Sequence, residues 1–287
     1  MSDASVRDAL GGAVDALRAT GVETPRLDAE LLLCEATGWE RARLAAEPEA
    51  GVPPAAARQF GELVRRRLRR EPVAYIAGRK GFRNLELAVD PRVLVPRPET
   101  ELLVEVALER RPRSVLDVGT GSGAIALAVA EEVPDSAVTA TDTSPAALEV
   151  ARANAARLGL ADRVCFAEGT WPDEESDARG GAFDLLLANL PYIADGDWPT
   201  LQPEVRDWEP REALLAGPDG LDAIRALLAE CGRGFNRYAN ESSATLALEV
   251  GDGQSGRVAE LMRGAGFAGI EVRKDLAGIE RVVVGER

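Results

Sequence analysis

The stretch FDLLLANLPY, Phe183 to Tyr192, runs from apolar residues straight into a polar and rigid corner. Asn189 offers a side-chain amide oxygen, the backbone carbonyl of Leu190 can point the same way, and Pro191 fixes the turn. Tyr192 adds a flat aromatic face. Two acceptors that converge on one point suit an NH2 group, because they hold both hydrogens and leave the nitrogen lone pair available for attack. The alternative is an Asx-type turn that closes a strand.

A glycine-rich loop, GTGSG at Gly119 to Gly123, joins an apolar stretch with a strand pattern to an apolar stretch with a helix pattern. Glycines at such a bend let the backbone approach a ligand closely, and the N-terminus of the following helix presents unpaired N–H groups. The loop therefore predicts a ligand site at the carboxyl edge of a sheet. A tight strand-to-helix turn without a ligand is the alternative.

An acidic residue, Asp142, ends the next predicted strand. A carboxylate at that place can accept hydrogen bonds from both hydroxyls of a ribose, which predicts a nucleoside-containing ligand. Asp142 could instead cap the following helix, but Thr143 or Ser144, ahead of Pro145, can fill that role. The position thus favours nucleoside binding.

The choice of ligand depends on Asp117, two residues before the first glycine. The loop is followed by Ala124, so the looser dinucleotide pattern GxGxx(G/A) also admits it. An acid at Asp117, however, would face a cationic sulfonium and amino acid better than a pyrophosphate. We therefore expect S-adenosylmethionine as methyl donor and the corner at Asn189 as the holder of the acceptor NH2. Catalysis would then consist of positioning and electrostatics.

Composition excludes several other kinds of chemistry. The 287 residues include no histidine, which removes the Ser-His-Asp triad, the Cys-His dyad and zinc sites that need imidazole. Three separated cysteines, Cys34, Cys165 and Cys231, suggest neither a disulfide framework nor a metal site, so we expect no metal and a reduced, cytoplasmic setting. The net charge of -14 opposes nucleic-acid binding and favours a protein or small-molecule partner. We find neither a signal peptide nor a membrane-spanning run.

Hydrophobic periodicity predicts which elements position these motifs. Residues 1–72 have a helical pattern and predict a small bundle of four or five helices, residues 73–97 predict a β-hairpin linker, and residues 98–287 alternate between strand and helix patterns, which indicates an α/β fold. The predicted strands are 114–118, 137–141, 164–167, 183–188, 245–250, 270–274 and 281–284. The predicted helices of this part are 124–132, 145–158, 221–231 and 256–265. An acidic surface loop is expected at Pro172 to Gly181.

These motifs together resemble a known family. The GxGxG loop, Asp142 and the NLPY tetrapeptide are similar to those of class I amino-methyltransferases. The segment GFRNLELAVDPRVLVPRPETELLVE, Gly81 to Glu105, resembles the one that precedes the catalytic domain in the HemK/PrmC family of protein-(glutamine-N5) methyltransferases. PRLDAELLLCEATGW near the N-terminus and ALEVGDGQ near the C-terminus extend the resemblance over nearly the whole chain.

The resemblance implies a Rossmann-like methyltransferase domain whose seven-stranded sheet has an antiparallel last strand, inserted between others, and a helical N-terminal domain that recognises the substrate. The implied reaction methylates the glutamine of the GGQ motif in class I peptide chain release factors and leaves S-adenosylhomocysteine. We expect a monomer. The implied donor-binding residues are Asp117, Gly119, Thr120, Gly121, Ser122, Gly123, Asp142, Trp171 on the adenine side, and Asn189. The implied glutamine-binding and catalytic residues are Asn189, Leu190, Pro191 and Tyr192.

Two positions depart from the family pattern. Leu190 stands where the family usually has proline, and NLPY is common in rRNA adenine dimethyltransferases; since this position acts through its carbonyl, leucine can serve. Thr170 stands where an acid commonly precedes the tryptophan. Two alternatives therefore stay open: a nucleic-acid adenine N-methyltransferase, and a release-factor-binding protein that has lost catalysis through Leu190. The basic run Arg65 to Arg70 suits either an acidic partner surface or RNA, or the C-terminal end of a helix dipole.

Overall fold

The structure is a computed structural model that describes residues 4–172, 183–238 and 244–287. Most of the predicted acidic loop, from residue 173 to Gly181, lies outside the described residues. Across the described part of the chain, every helix is too short or too polar to cross a membrane.

Only helices precede the hairpin formed by the first two strands, whereas both helices and strands follow it. The helices are α1 (Val6–Ala19), α2 (Pro25–Thr37), α3 (Arg41–Ala46), α4 (Pro54–Leu68), α5 (Val73–Ala77), α6 (Glu101–Arg110), α7 (Ala124–Glu132), α8 (Pro145–Arg157), α9 (Pro203–Arg206), α10 (Asp222–Tyr238) and α11 (Ser255–Gly264). The strands are β1 (Arg79–Phe82), β2 (Leu85–Ala88), β3 (Ser114–Val118), β4 (Ala137–Asp142), β5 (Val164–Glu168), β6 (Leu185–Ala188), β7 (Thr245–Glu249), β8 (Ala268–Lys274) and β9 (Glu280–Glu286). Single turns of 3-10 helix lie at Pro98–Thr100 and Arg211–Ala213, and a longer one lies at Asp195–Thr200.

The chain forms two compact units. The first comprises Met1–Arg79 together with Gln202–Trp208, and the second comprises Lys80–Leu201 and Glu209–Arg287. The predicted hairpin linker, 73–97, therefore begins with the helix α5, which was too short to show a helical period.

The first unit is built from α1 to α5 and the short helix α9. The hydroxyl of Ser5 accepts a hydrogen bond from the backbone N–H of Asp8, which satisfies one of the free donors at the start of α1. The apolar positions of α1 that recur every three or four residues are buried against α2 and α4. This confirms the helical prediction for the N-terminal region.

Buried charges connect α4 to α2 and α9 inside the first unit. The guanidinium of Arg67 bonds Asp28 at 2.6 Å and Glu204 at 2.5 Å, and Arg67 and Asp28 are both buried. Arg70 bonds the second oxygen of Glu204, and Arg66 pairs with Glu71. Neither reading of the basic run Arg65 to Arg70 anticipated this internal role for three of its arginines.

Replacing Arg67 with methionine should lower the free energy of unfolding by about 3 kcal/mol, because it leaves the buried Asp28 carboxylate without its partner. Arg65→Met is the matched control, since Arg65 is exposed and lies 3.9 Å from Glu62; we expect a change below about 0.5 kcal/mol there. Urea denaturation measures both. Equal losses in the two variants would contradict the structural role of Arg67.

The second unit contains a seven-stranded sheet with the order β5-β4-β3-β6-β7-β9-β8. Strands β3 to β7 are parallel, whereas β9 lies between β7 and β8 and is antiparallel to both. This confirms the α/β prediction and the inserted last strand that the resemblance implied. The strands are apolar on both faces because helices cover both: α6 and α7 pack on one side, and α10 and α11 on the other.

The strand order places two chain segments of interest side by side. After β3 the chain continues to β4 on one side, and it later returns to form β6 on the other side of β3. In open α/β sheets such a reversal leaves a crevice at the carboxyl ends of the two strands, where ligands bind. The glycine loop follows β3 and the Asn189 corner follows β6, so both open at this crevice.

Within residues 98–287 the predicted strands and helices agree with the structure to within two residues at each boundary, except at the end of α10. Strand β6 begins at Leu185 instead of Phe183, which forms only an isolated bridge. Helix α10 continues to Tyr238 instead of ending at Cys231. Its extension includes Gly232 and Gly234, residues that weaken a helix interior by about 1 kcal/mol each without forbidding it.

Candidate active site

A cavity of about 330 Å³ opens at the carboxyl edge of the sheet, within the second unit. Its size suits a small-molecule ligand. Eight residues predicted for the site line it: Gly119, Thr120, Gly121, Ser122, Asp142, Asn189, Leu190 and Pro191. The structure thus brings the glycine loop, the acid after β4 and the corner after β6 to one cavity. Four predicted residues do not line it: Asp117, Gly123, Trp171 and Tyr192.

The glycine loop is held in a conformation that favours glycine. Gly121 has a φ of 55°, and a side chain there would meet nothing within 4 Å, so its backbone lies open to the cavity. Gly123 is different, because a Cβ at that position would lie 2.9 Å from Leu127 and 3.3 Å from Ala151. Gly123 therefore permits the start of α7 to lie close to Ala151 of α8, and it does not line the cavity.

Asp142 holds the loop from the neighbouring strand. One carboxylate oxygen accepts the N–H of Gly121 at 2.9 Å and the other accepts the N–H of Ser144 at 2.8 Å. Burial raises the pKa of Asp142, and these N–H groups partly oppose that effect. The Ser144 hydroxyl caps α8 by accepting from the N–H of Ala147, as predicted. Since a carboxylate has about four acceptor positions, Asp142 keeps capacity for a ligand in the cavity.

Asp117 lies behind the loop instead of facing the cavity. Its side chain is fully buried, and Oδ2 accepts the hydroxyl of Thr120 at 2.6 Å and the N–H of Ala126 at 3.1 Å. Its Oδ1 has no hydrogen-bond partner within the described residues. The expectation that this acid faces a bound ligand is corrected: the carboxylate connects the end of β3 to the loop and to α7. Burial raises the pKa of Asp117 to about 7.

This raised pKa predicts how stability depends on pH. The protonated form of Asp117 is favoured in the folded protein, so its contribution is complete below about pH 4 and is lost as the pH rises to about 7. Asp117→Asn keeps one oxygen for Thr120 and Ala126 but cannot ionise. Between pH 5 and pH 8 the wild type should lose about 3 kcal/mol of unfolding free energy relative to this variant. Denaturant unfolding at several pH values measures the difference, with the exposed Asp135→Asn as control. Parallel pH profiles for wild type and Asp117→Asn would refute the assignment.

The Asn189 corner is fixed by contacts on two sides. The Asn189 amide nitrogen donates to the hydroxyl of Thr100 at 3.0 Å. The backbone carbonyl of Tyr192 accepts from the side-chain nitrogen of Gln254 at 2.9 Å, and it lies 2.3 Å from where a Cβ of Gly220 would be. Only glycine at position 220 permits this close approach, so the turn that contains it sets the path of the corner.

The Leu190 side chain lies at the cavity, close to the glycine loop and the hydrophobic core. Its side chain lines the cavity and lies 3.3 Å from where a Cβ of Gly119 would be. It also packs against the hydrophobic cluster around Leu186 and Leu248. The leucine that replaces the usual proline therefore contacts both the core and the glycine loop.

Two aromatic residues that were predicted for the site, Trp171 and Tyr192, do not line the cavity. Trp171, which the resemblance places beside the adenine, packs against the cluster around Leu186, whereas the preceding residues Gly169 and Thr170 line the cavity. Tyr192 is largely buried, and this burial raises the pKa of its hydroxyl to about 12. The structure thus shows Trp171 in a packing role.

Residues of the segment before α6, which belongs to the stretch that carries the family resemblance, complete the cavity wall. Arg97 and Thr100 line the cavity, and Arg97 bonds the buried Glu209 at 2.6 Å. Burial raises the pKa of Glu209, against the opposing effect of Arg97. Glu249, at the end of β7, is buried as well, and its pKa is raised to about 7. The sequence signal for Glu249 was its position as an acid at the end of an apolar strand next to the site.

Comparison with protein-family models gives two matches. Residues 8–78 match the PrmC N-terminal domain, and residues 98–201 match the methyltransferase small domain. The first falls on the helical N-terminal region, and the second includes the glycine loop, Asp142 and the Asn189 corner.

Two solved structures show the fold at low identity. The catalytic domain of human METTL16, in complex with an RNA hairpin, is 14% identical with a TM-score of 0.55 and covers 70% of this chain and 75% of that chain. A methyltransferase from Pyrococcus furiosus is 19% identical with a TM-score of 0.51 and covers 72% of this chain and 91% of that chain.

Curated relatives match along nearly the whole chain. A release factor glutamine methyltransferase of Moorella thermoacetica is 44% identical over 99% of both chains. One of Caulobacter vibrioides is 40% identical over 95% of this chain and 93% of its own. With identity at this level over nearly full length, the chain belongs to the release factor glutamine methyltransferase family.

Proposed function

We propose that this protein transfers the methyl group of S-adenosylmethionine to the side-chain amide nitrogen, N5, of the glutamine in the GGQ motif of class I peptide chain release factors, and leaves S-adenosylhomocysteine. The observation that carries the proposal is the cavity shared by the glycine loop after β3 and the Asn189 corner after β6. One motif fits the donor and the other fits an NH2 acceptor, so the shared cavity suits direct transfer between them.

The residues present fit the donor. S-adenosylmethionine, when bound, supplies an electrophilic methyl group on a sulfonium. The open backbone at Gly121 allows a ligand to approach the loop closely, and Asp142 has acceptor positions left for ribose hydroxyls. Thr120 and Ser122 line the cavity on either side of Gly121. We assign donor binding to these residues.

The corner acts on the acceptor. The side-chain oxygen of Asn189 and the backbone carbonyl of Leu190 would accept the two hydrogens of the glutamine amide, while Pro191 keeps the corner rigid. An amide nitrogen is a poor nucleophile because its lone pair is delocalised into the carbonyl group. Holding its hydrogens directs the lone pair toward the methyl carbon, so a nitrogen–carbon bond forms as the sulfur–carbon bond breaks and a proton leaves the nitrogen.

Further assignments follow from this activity. We propose that residues 1–72 form the domain that recognises the release factor, that 73–97 connect it, and that 98–287 carry out the transfer. We propose a cytoplasmic monomer that does not bind nucleic acid, because the substrate is a translation factor and the net charge of -14 repels phosphate. Ion pairs that engage Arg66, Arg67 and Arg70 support this, since they reduce the basic surface available to RNA.

Incubation with S-adenosylmethionine and a recombinant class I release factor, followed by mass spectrometry of the GGQ peptide, tests the proposal. We expect a gain of one methyl group on that glutamine. Methylation of an RNA, with binding that weakens steeply as salt rises, would favour the adenine methyltransferase suggested by NLPY. Tight binding of donor and release factor without turnover would indicate a binding protein, and Leu190→Pro would then test whether proline restores transfer.

A further inference from the structure

A buried asparagine on α8, Asn154, is bonded both to the glycine loop and to strand β2. Its side-chain nitrogen Nδ2 donates to the backbone carbonyl of Ser122 at 2.9 Å and to that of Ala88 at 3.0 Å. Its oxygen Oδ1 accepts the backbone N–H of Ala88 at 2.7 Å and a guanidinium nitrogen of Arg157 at 3.3 Å. The Asn154 side chain, which is fully buried, therefore connects three elements: the loop after β3, helix α8 and the hairpin strand β2.

The partners of the Asn154 amide determine which way it faces. Both N–H groups of Nδ2 are used, one on each carbonyl. Rotation by half a turn would place Nδ2 against the N–H of Ala88 and Oδ1 against two carbonyl oxygens, so all three of these bonds would be lost. Since a buried carbonyl without a donor costs free energy, the observed orientation is strongly favoured.

The glycine loop, Gly119 to Gly123, uses four of its five backbone N–H groups within the protein. The first two donate to the carbonyl of Thr141, the third donates to Asp142, and the fifth bonds within the loop. Among the described residues, the fourth N–H, that of Ser122, has no partner. Ser122 is buried and lines the cavity, so a ligand that offers an acceptor there would satisfy an N–H that is otherwise unpaired.

We propose that Asn154 is a positioning residue for S-adenosylmethionine, which fixes Ser122 so that the unpaired N–H of this residue meets an acceptor atom of the ligand. This inference rests on the proposed function. The peptide group that contains this N–H lies between two anchored ones. The preceding peptide is bonded through its N–H to Asp142, and the following peptide is bonded through its carbonyl to Asn154. Without Asn154 one anchor is lost, and binding must order the loop at a cost in affinity.

Calorimetric titration with S-adenosylhomocysteine tests this role. Asn154→Ala should weaken binding about tenfold, because it leaves the Ser122 carbonyl without its side-chain donor. Ser136→Ala is the matched control. The buried Ser136 hydroxyl donates to the carbonyl of Pro112 at 2.5 Å, so this variant also removes a side-chain donor from a backbone carbonyl, but away from the cavity lining. We expect both variants to lower the Tm and the control to bind the ligand within about twofold of wild type.

A second variant and the kinetics separate positioning from general destabilisation. Asn154→Asp keeps the size and the acceptor for the Ala88 N–H but turns an oxygen toward the Ser122 carbonyl, so it should bind S-adenosylhomocysteine as weakly as Asn154→Ala does. In release-factor methylation by Asn154→Ala, the KM for S-adenosylmethionine should rise about tenfold while kcat stays within about threefold of wild type. The Asn189 corner, which acts on the acceptor, is unchanged in this variant.

Hydrogen exchange of the wild type, followed by NMR, examines Ser122 directly. S-adenosylhomocysteine should slow exchange of the Ser122 N–H about tenfold or more, and by a larger factor than for the other four loop N–H groups, which are already bonded. In Asn154→Ala this protection should be reduced, because the loop residue is no longer anchored.

Some results would overturn the inference alone: a wild type that binds S-adenosylhomocysteine while Asn154→Ala binds it within twofold as tightly, or equal losses of affinity in Asn154→Ala and Ser136→Ala. If neither Asn154 variant folds, the exchange experiment decides, and a Ser122 N–H that the ligand leaves unprotected overturns the inference. A wild type that binds no S-adenosylhomocysteine would instead overturn the proposed function, and this inference with it.

Discussion

Asn189→Ala is expected to lower kcat for release-factor methylation by about a hundredfold to a thousandfold, the usual loss when one preorganised polar partner of a reacting group is removed. Asn189 supplies one of the two acceptors for the glutamine NH2, and its own NH2 is already committed to Thr100. Without its oxygen the acceptor nitrogen is held only through the Leu190 carbonyl, so the lone pair is no longer directed at the methyl group. Quenched time-course assays, followed by mass spectrometry of the GGQ peptide, measure the loss in kcat.

Affinity for the donor provides the internal control for this variant. The residues assigned to the donor lie on the glycine loop and at Asp142, which Asn189→Ala leaves in place, so calorimetry should give a donor Kd within about twofold of wild type. An unchanged kcat would remove Asn189 from its assigned role. A large loss of donor affinity would instead assign Asn189 chiefly to donor binding.

Asp142→Ala should weaken donor binding by about a hundredfold. Its two oxygens bond the N–H groups of Gly121 and Ser144 and have further capacity for two ribose hydroxyls. Hydrogen bonds to a charged group contribute about 1.5–3 kcal/mol each, so losing those to the ribose costs about 3 kcal/mol in total. The variant also releases the loop at Gly121, which adds to the loss. Calorimetric titration with S-adenosylmethionine or S-adenosylhomocysteine measures it.

Asp142→Asn separates these two contributions. Asparagine keeps one acceptor for the loop but lacks the charge, so a donor affinity between those of wild type and Asp142→Ala is expected. Asp135→Asn makes the same chemical change on an exposed turn and should leave donor affinity unaltered. If Asp142→Ala binds the donor as tightly as wild type does, the ribose assignment is wrong.

Local patterns were sufficient to predict the strands of the sheet, whereas its inserted antiparallel strand was implied by the family resemblance. Strands such as β3 and β6 are short, apolar on both faces and bounded by polar or glycine-rich turns, and these properties are visible in sequence order. The glycine loop and Asp142 were predicted for the same reason, because each directly follows a strand. Their place at one sheet edge followed from the parallel arrangement.

The direction in which individual side chains point could not be predicted from the sequence. Asp117 lies inside β3, whereas Asp142 ends β4 one residue beyond the position that pairs with Val118, so one lies behind the loop and the other beside the cavity. Thr100 meets Asn189 only through the tertiary fold, across a separation of 89 residues. No local pattern connects residues so far apart.

The first unit takes in a short second segment, Gln202–Trp208, and this limits how the protein can be divided. A fragment ending at Arg79 would lack Glu204, leaving Arg67 and Arg70 without the carboxylate that both bond. A fragment beginning at Lys80 would carry Glu204 with neither arginine. Truncation or recombination at a single junction therefore breaks buried ion pairs in either product, so the first unit cannot be exchanged for another at one splice point without losing them.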